Sequence, residues 1–273
     1  MRRRGLAFAL AVAAALGAIP APARADGVRP DWAFGHPAGD AVIFATAAGS
    51  NFFALLPQGR SGWAPSHTLP DDTTVAKWSD LTGAVGGLTI QLGLGYVLES
   101  AYLDAVGAED PGVEALFGTM VETQAVGLSS GVTFLMKRLT GRCRPRAYAS
   151  GVCDGEFDSF PSGHTSAISP FAGARLVRLI ETPGEGIAYR AINYGVAELG
   201  TIVTAILRNY AGAHSWEDVL VGGLVGHSAG VLVGLAHRPV DVERGPGKAR
   251  GAIAGTTPIS LPAPTTFEIS FAF

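Results

Sequence analysis

Cysteine is nearly absent from this chain: two residues in 273, Cys143 and Cys153. That excludes a disulfide-dense scaffold. No Cys or His lies at ligand spacing from either one, so no zinc site or other metal site is expected. Sustained period-2 alternation is missing until the extreme C-terminus, where Phe267, Ile269, Phe271 and Phe273 alternate with Glu268, Ser270 and Ala272. One short strand cannot close a barrel, so the alternation does not make the chain an outer-membrane barrel. Internal repeats are lacking, which excludes a solenoid. An excess of basic charge is lacking too. The formal net charge is −3, and general nucleic-acid binding is not expected.

The N-terminus supplies a basic start, Met1-Arg2-Arg3-Arg4, an apolar run from Leu6 to Ile19, and a small-residue site at Ala23-Arg24-Ala25. This pattern predicts a secretory signal peptide over 1–25, with cleavage before Asp26. The run is short and ends at Pro20 and Pro22, unlike a retained membrane anchor. In an exported chain a Cys143–Cys153 disulfide is expected, worth about 2–3 kcal/mol in loop entropy. The exported remainder divides into a helical domain over 26–238 and a Pro/Gly-rich tail over 239–273 that ends in the strand-like segment.

Between these ends the apolar periodicity is helical. Asp40–Leu56 stops at Pro57, and Gln58–Thr74 reads as a loop. Asp80 is placed to cap a helix from Leu81 to about Val106, and Pro111 opens another that runs to Arg138. Gly141–Phe160 is irregular. Helices follow over Ser162–Glu181, Ile187–Arg208 and Ser215–His237. The expected fold is all-α, a bundle of five to six helices. Gly222, Gly226, Gly230 and Gly234 form a four-spaced ridge against which a neighbour can lie closely. Val219–Ala236 carries only His227 as an ionisable residue and is a borderline span. Glu99, Glu122, Arg175, Arg178 and Glu198 sit inside helices and are expensive in hydrocarbon, which favours a soluble or peripheral bundle over an integral one.

The chemistry centres on Pro161-Ser162-Gly163-His164. A helix that starts there presents unpaired N–H groups and its positive dipole end to an anion, with Ser162 as cap and Gly163 open to close approach. Consecutive antiparallel helices bring further residues to the same end of the bundle. Lys137 closes one helix, Arg144 follows it, Arg208 closes another, and His214 and Asp218 open the last. Three cations around a helix N-terminus suit an anion with several oxygens. His214 and Asp218 are one turn apart, so the carboxylate can orient the imidazole. Ser215 and Asp218 equally read as a capping pair. His36, His67, His227 and His237 stand apart from this set and read as structural or solvated. Arg142 and Arg146 flank Arg144, where they widen a positive entrance or serve loop solubility.

Lys137 with Arg144-Pro145, then Pro161-Ser162-Gly163-His164, then Arg208 with His214 and Asp218 resembles the three-part signature of the type 2 phosphatidic acid phosphatase family. Its superfamily includes bacterial class A acid phosphatases and vanadium-dependent haloperoxidases. The signature covers Lys137–Asp218. The family often has serine before the third-motif arginine; Leu207 stands there in this chain and removes one hydroxyl contact to phosphate.

The resemblance implies the phosphatase/haloperoxidase kind of helical bundle and a two-step hydrolysis of phosphate monoesters or diphosphates, with no cofactor and no metal. His214 would attack phosphorus, oriented by Asp218, and His164 would protonate the leaving oxygen and then activate water. Lys137, Arg144, Ser162, Gly163 and Arg208 would hold the phosphate oxygens. The implied partner is a phosphorylated lipid or small soluble phosphomonoester, with membrane-surface association in the lipid case; the expected signal peptide places the chain in a periplasmic or other extracytoplasmic location. Two alternatives use the same residues: a vanadate-dependent haloperoxidase with His214 as the vanadate ligand, and a non-catalytic envelope protein that binds without hydrolysing.

Overall fold

A computed structural model describes residues 45–61, 63–65, 73–82, 84–108, 110–153, 157–182 and 185–237. The signal peptide, the arm that follows it, His36, His67 and the C-terminal tail with its strand-like segment lie outside the described residues. Residues 45–50 are helical and continue into a 3-10 turn, Asn51–Leu55. Seven α-helices follow: α1 Thr73–Thr82, α2 Ala84–Ala105, α3 Pro111–Thr140, α4 Pro145–Ala149, α5 Gly163–Glu181, α6 Ile187–Tyr210 and α7 Trp216–Ala236. Among the described residues there is no strand.

α5 is the axis of the bundle, packed against α2, α3, α6 and α7. Every residue from Thr165 to Arg175 on it is buried, and most are small enough to let neighbours approach. The closest approach is to α7, along the glycine ridge. A Cβ on Gly226 would come within 2.6 Å of the Ser166 carbonyl oxygen, and one on Gly230 within 2.1 Å of the Pro170 oxygen. Any side chain at Gly230 would therefore push the two helix axes apart.

Two turns bring the chain to the functional end. Gly141 ends α3 in the left-handed conformation (φ 52°), its N–H donating to the Lys137 carbonyl. Residues 141–144 carry no regular secondary structure, and the extended Arg144 leads into α4. The segment 59–61 is strapped across this turn, with Gly59 N–H donating to Arg138 O at 2.8 Å and Ser61 N–H to Gly141 O at 3.0 Å.

The structure corrects several boundaries. Helix α1 begins at Thr73, at the end of the stretch expected as loop, and takes in Leu81 and Thr82, expected as the start of the next helix. Asp80 lies inside α1 rather than capping the next helix, because its carboxylate is engaged by Arg208 at 2.5 Å. The region after Gly141 holds the short helix α4, which Pro145 opens. Among the described residues, seven α-helices follow the helical stretch 45–55, where five or six helices in all were expected.

The charges inside the long helices turn inward and pair. Arg175 forks onto Glu122 at 2.6 and 3.1 Å and also donates to Gln91. Arg178 bridges Glu99 at 2.6 Å and Glu185 at 2.8 Å, and burial raises the Glu99 carboxyl above its ordinary value. Paired and hydrogen-bonded charges of this kind are held within the bundle, so they do not oppose apolar surroundings on its outside. That outside is apolar: Leu94, Leu199, Ile202, Leu220, Leu224 and Leu232 are all exposed. Among the described residues, α7 is the one helix long and apolar enough, by length and composition, to cross a membrane.

Candidate active site

The bundle end formed by the α3 C-terminus, the α5 N-terminus, the α6 C-terminus and the α7 N-terminus gathers the residues singled out above. Lys137 is buried in the last turn of α3 and donates from Nζ to the Asp158 carbonyl. Arg144 caps α4 and forks onto Asp158, from Nε to Oδ1 at 2.8 Å and from Nη2 to Oδ2 at 3.0 Å. Ser162 is the N-cap of α5. Its hydroxyl accepts from Thr165 N–H at 3.4 Å and from the Thr165 hydroxyl at 3.0 Å, and its own N–H donates to Asp218 O at 2.8 Å. Gly163 opens α5 beside Lys137, and a Cβ placed there would meet only the Lys137 Cε, at 3.5 Å. Close packing within the chain therefore does not require glycine at this position.

Arg208 is 2 % exposed. Its Nη1 donates to Ser79 Oγ at 3.0 Å and to Asp80 Oδ1 at 2.5 Å, while its buried Nε has no acceptor. A buried guanidinium N–H without a partner costs free energy, and an oxyanion would satisfy it. His214 sits on the turn between α6 and α7, with its N–H donating to Arg208 O at 3.2 Å. Its Nδ1 lies 3.7 Å from Asp218 Oδ2. That separation is longer than a hydrogen bond, and the pair is ionic only when the imidazole is protonated.

The electrostatics follow from burial among cations. Burial pushes His214 down to about 3; Asp218 opposes the shift, and Lys137, Arg208 and Arg144 add to it. Burial and Arg208 bring His164 down to about 4. Both imidazoles are therefore neutral at pH 7. Burial also lowers the Lys137 ammonium to about 8. Burial alone would raise the Asp218 carboxyl, but His214, the Ser159 hydroxyl and the Ser215 N–H hold it below its ordinary value. Asp158 falls far below the carboxylate range, because the Arg144 hydrogen bonds and the Lys137 charge outweigh its burial. The same cations thus act on both histidines, and the separate helix ends form one site.

Residues 121–240 match the model of the PAP2 superfamily. The match is consistent with the type 2 phosphatidic acid phosphatase family. Phosphatases predominate in that superfamily, which supports a hydrolase role in general terms. No solved structure matches the chain. The matched PAP2 segment contains every residue of the three-part signature, from Lys137 to Asp218.

The candidate site also holds residues that their spacing in the sequence does not mark. Arg142 is not a solvated entrance residue: it is fully buried, and its Nη1 donates to Asp218 Oδ1 at 2.7 Å. Ser159 donates from its hydroxyl to Asp218 Oδ2 at 2.6 Å. Asp80 and Asp158 are the counter-ions of Arg208 and Arg144. Spacing carries no signal for Arg142, because its partners Asp218 and Ser215 are reached only through the tertiary fold. The turn at Gly141 sends Arg142 beneath the α7 N-terminus and leaves Arg144 beside Asp158. Ser215 and Asp218 do form a cap contact, Ser215 N–H to Asp218 Oδ2 at 2.8 Å, so Asp218 serves the helix end and faces His214 at once. Cys143 and Cys153 are joined by a disulfide that pins the segment after α4. His227 lies 3.9 Å from Glu198, and His237 is buried with its Nδ1 2.9 Å from Val233 O; neither belongs to the site.

Proposed function

We propose that the chain is an exported phosphatase that hydrolyses phosphate monoesters or diphosphates through a phosphohistidine on His214. The observation that carries this reading is the meeting of Lys137, Arg144 and Arg208 on two neutral histidines, with the Arg208 Nε left as a free donor. An anion with several oxygens is the ligand such a donor set fits.

In the first step His214 Nε2 attacks phosphorus and forms the P–N bond as the bond to the leaving oxygen breaks. His164 gives its proton to that oxygen. In the second step water attacks phosphorus, His164 takes the water proton, and inorganic phosphate leaves as the P–N bond breaks. Lys137, Arg144 and Arg208 neutralise the equatorial oxygens, together with the backbone at Gly163 and the Ser162 end of α5. The cations supply the charge neutralisation that a metal ion supplies in other phosphoryl-transfer sites.

His164 near 4 is neutral at pH 7, yet the first step needs it protonated. Binding of the phosphate dianion beside Arg208 offsets the positive field that depresses it, so substrate recruits its own general acid. The exposed leucines and isoleucines of α2, α6 and α7 favour a phosphorylated lipid as substrate, taken from the surface of a membrane in an extracytoplasmic compartment. The test is a substrate panel on purified protein, lipid phosphates against soluble phosphomonoesters, with and without vanadate. Hydrolysis of the lipid arm, inhibited by vanadate, is expected. Bromide oxidation by peroxide after vanadate loading, with no hydrolysis of any ester, would overturn the reading.

A further inference from the structure

We propose that Arg142 is a positioning residue that locks the Asp218 carboxylate against His214, with Ser159 as its partner in the lock. The proposal rests on the reading of His214 as nucleophile. Both oxygens of Asp218 are occupied from behind. Arg142 Nη1 holds Oδ1 at 2.7 Å, while the Ser159 hydroxyl at 2.6 Å and the Ser215 N–H at 2.8 Å hold Oδ2. The carboxylate cannot rotate away from His214 without breaking one of these contacts.

Arg142 is itself held at both terminal nitrogens, while its buried Nε has no acceptor. Its Nη2 donates to Ala64 O at 3.1 Å, its Nη1 also reaches Ser215 Oγ at 3.2 Å, and its carbonyl accepts from Ser159 N–H at 3.0 Å. The Trp63 ring covers the guanidinium, 4.2 Å from its carbon, and packs in turn on Phe160 with ring centroids 5.0 Å apart. Phe160 lies two residues before Ser162. The strap residues 59–61 and 63–65, the arginine, the carboxylate and the α5 cap thus form one packed assembly behind the nucleophile. An arginine pressed into full burial at a catalytic carboxylate has no use as a phosphate ligand, and a residue kept only for solubility would not be buried. Its chemistry is to keep Asp218 ionised and aimed, the role the orienting carboxylate itself requires in a His–Asp pair.

A purely structural arginine and a positioning arginine differ in what the pH profile does. The charged groups that face His214 from the surrounding elements are Lys137 of α3, Arg144 before α4, Asp158 and Arg208 of α6, with Glu217 beside Arg142 on α7. Removing the Arg142 charge strengthens the negative field of Asp218 at His214. The imidazole then holds its proton to higher pH.

The experiment compares wild type, Arg142→Gln, Arg142→Lys, Ser159→Ala and His214→Ala in p-nitrophenyl phosphate hydrolysis across pH. Arg142→Gln is expected to lower kcat about 100-fold with KM little changed, and to move the acidic limb to higher pH. Arg142→Lys restores the limb and part of kcat. Ser159→Ala lowers kcat in the same direction by less. Wild-type kcat and an unshifted limb in Arg142→Gln, with His214→Ala inactive, would overturn the proposal and leave the nucleophile reading standing. Activity in His214→Ala would overturn the underlying reading instead. If Arg142→Gln does not fold, Arg142→Lys and Ser159→Ala decide: lower thermal midpoints with normal kcat and an unmoved limb refute the positioning role.

Discussion

The Asp80 carboxylate lies 2.5 Å from Arg208 Nη1, although the acid is largely exposed and the arginine fully buried. An incoming phosphate competes with that carboxylate for the guanidinium. Asp80 also favours the protonated form of His164. Asp80→Asn is therefore expected to tighten inhibition by inorganic phosphate about two- to fivefold, the range of an exposed ion pair, and to lower kcat. Weaker phosphate inhibition would show that Asp80 holds Arg208 in place for phosphate rather than competing with it.

The pH dependence has a definite sign. The proposed mechanism needs His214 neutral in the free enzyme, which holds above about 3, and His164 protonated, which holds below about 4. The value of kcat/KM is thus expected to rise as pH is lowered from 7 towards 4. Stability moves the other way. Both histidines bind protons less readily folded than unfolded, so the unfolded chain gains protons first as pH falls below about 6.5. The urea midpoint should decline from pH 6.5 towards 4, and His164→Ala should flatten part of that decline. A kcat/KM that is level or rising from pH 4 to 7 would remove His164 from the role of proton donor.

Gly230 tests the helix contact beneath the site. A Cβ there meets the Pro170 oxygen at 2.1 Å, and the Ala174 nitrogen and Gly173 Cα lie within 3 Å. Gly230→Ala is expected to cost about 1–3 kcal/mol as overpacking, read as a lower thermal midpoint. An unchanged midpoint would mean that α5 and α7 separate freely.

The outward faces of α2, α6 and α7 predict membrane-surface association. In a flotation assay the purified protein should rise with liposomes, and high salt should not release it, since the contact is apolar. Recovery in the soluble fraction alone would refute lipid contact and favour soluble phosphomonoesters as substrates.

The helices that carry the site were legible because their ends are marked. Pro111, Gly141, Ser162 and Ser215 punctuate strong apolar periodicity, and the glycine ridge on α7 announces a close neighbour. Helix α1 was not legible: Thr73–Thr82 is polar in its first half and follows a loop-like composition. Asp80 sits before Leu81 as a cap would, and nothing local reveals an arginine from α6 as its partner. The inward pairing of Arg175 and Arg178 was hidden for a related reason. A charge in an apolar helix does not say which side it faces until Glu122, Glu99 and Glu185 are brought opposite it. The site residues were readable as a set because antiparallel order puts their helix ends together, whereas Arg142 and Ser159 act through tertiary contacts to Asp218 that spacing does not encode.

The most direct measurement is rapid acid-free quenching of the enzyme with a radiolabelled phosphomonoester, followed by peptide mapping. A base-stable, acid-labile phosphoryl group on His214 is expected in wild type, to be absent in His214→Ala together with hydrolysis. Turnover at the wild-type rate in His214→Ala, or label on another residue, would contradict the phosphohistidine mechanism.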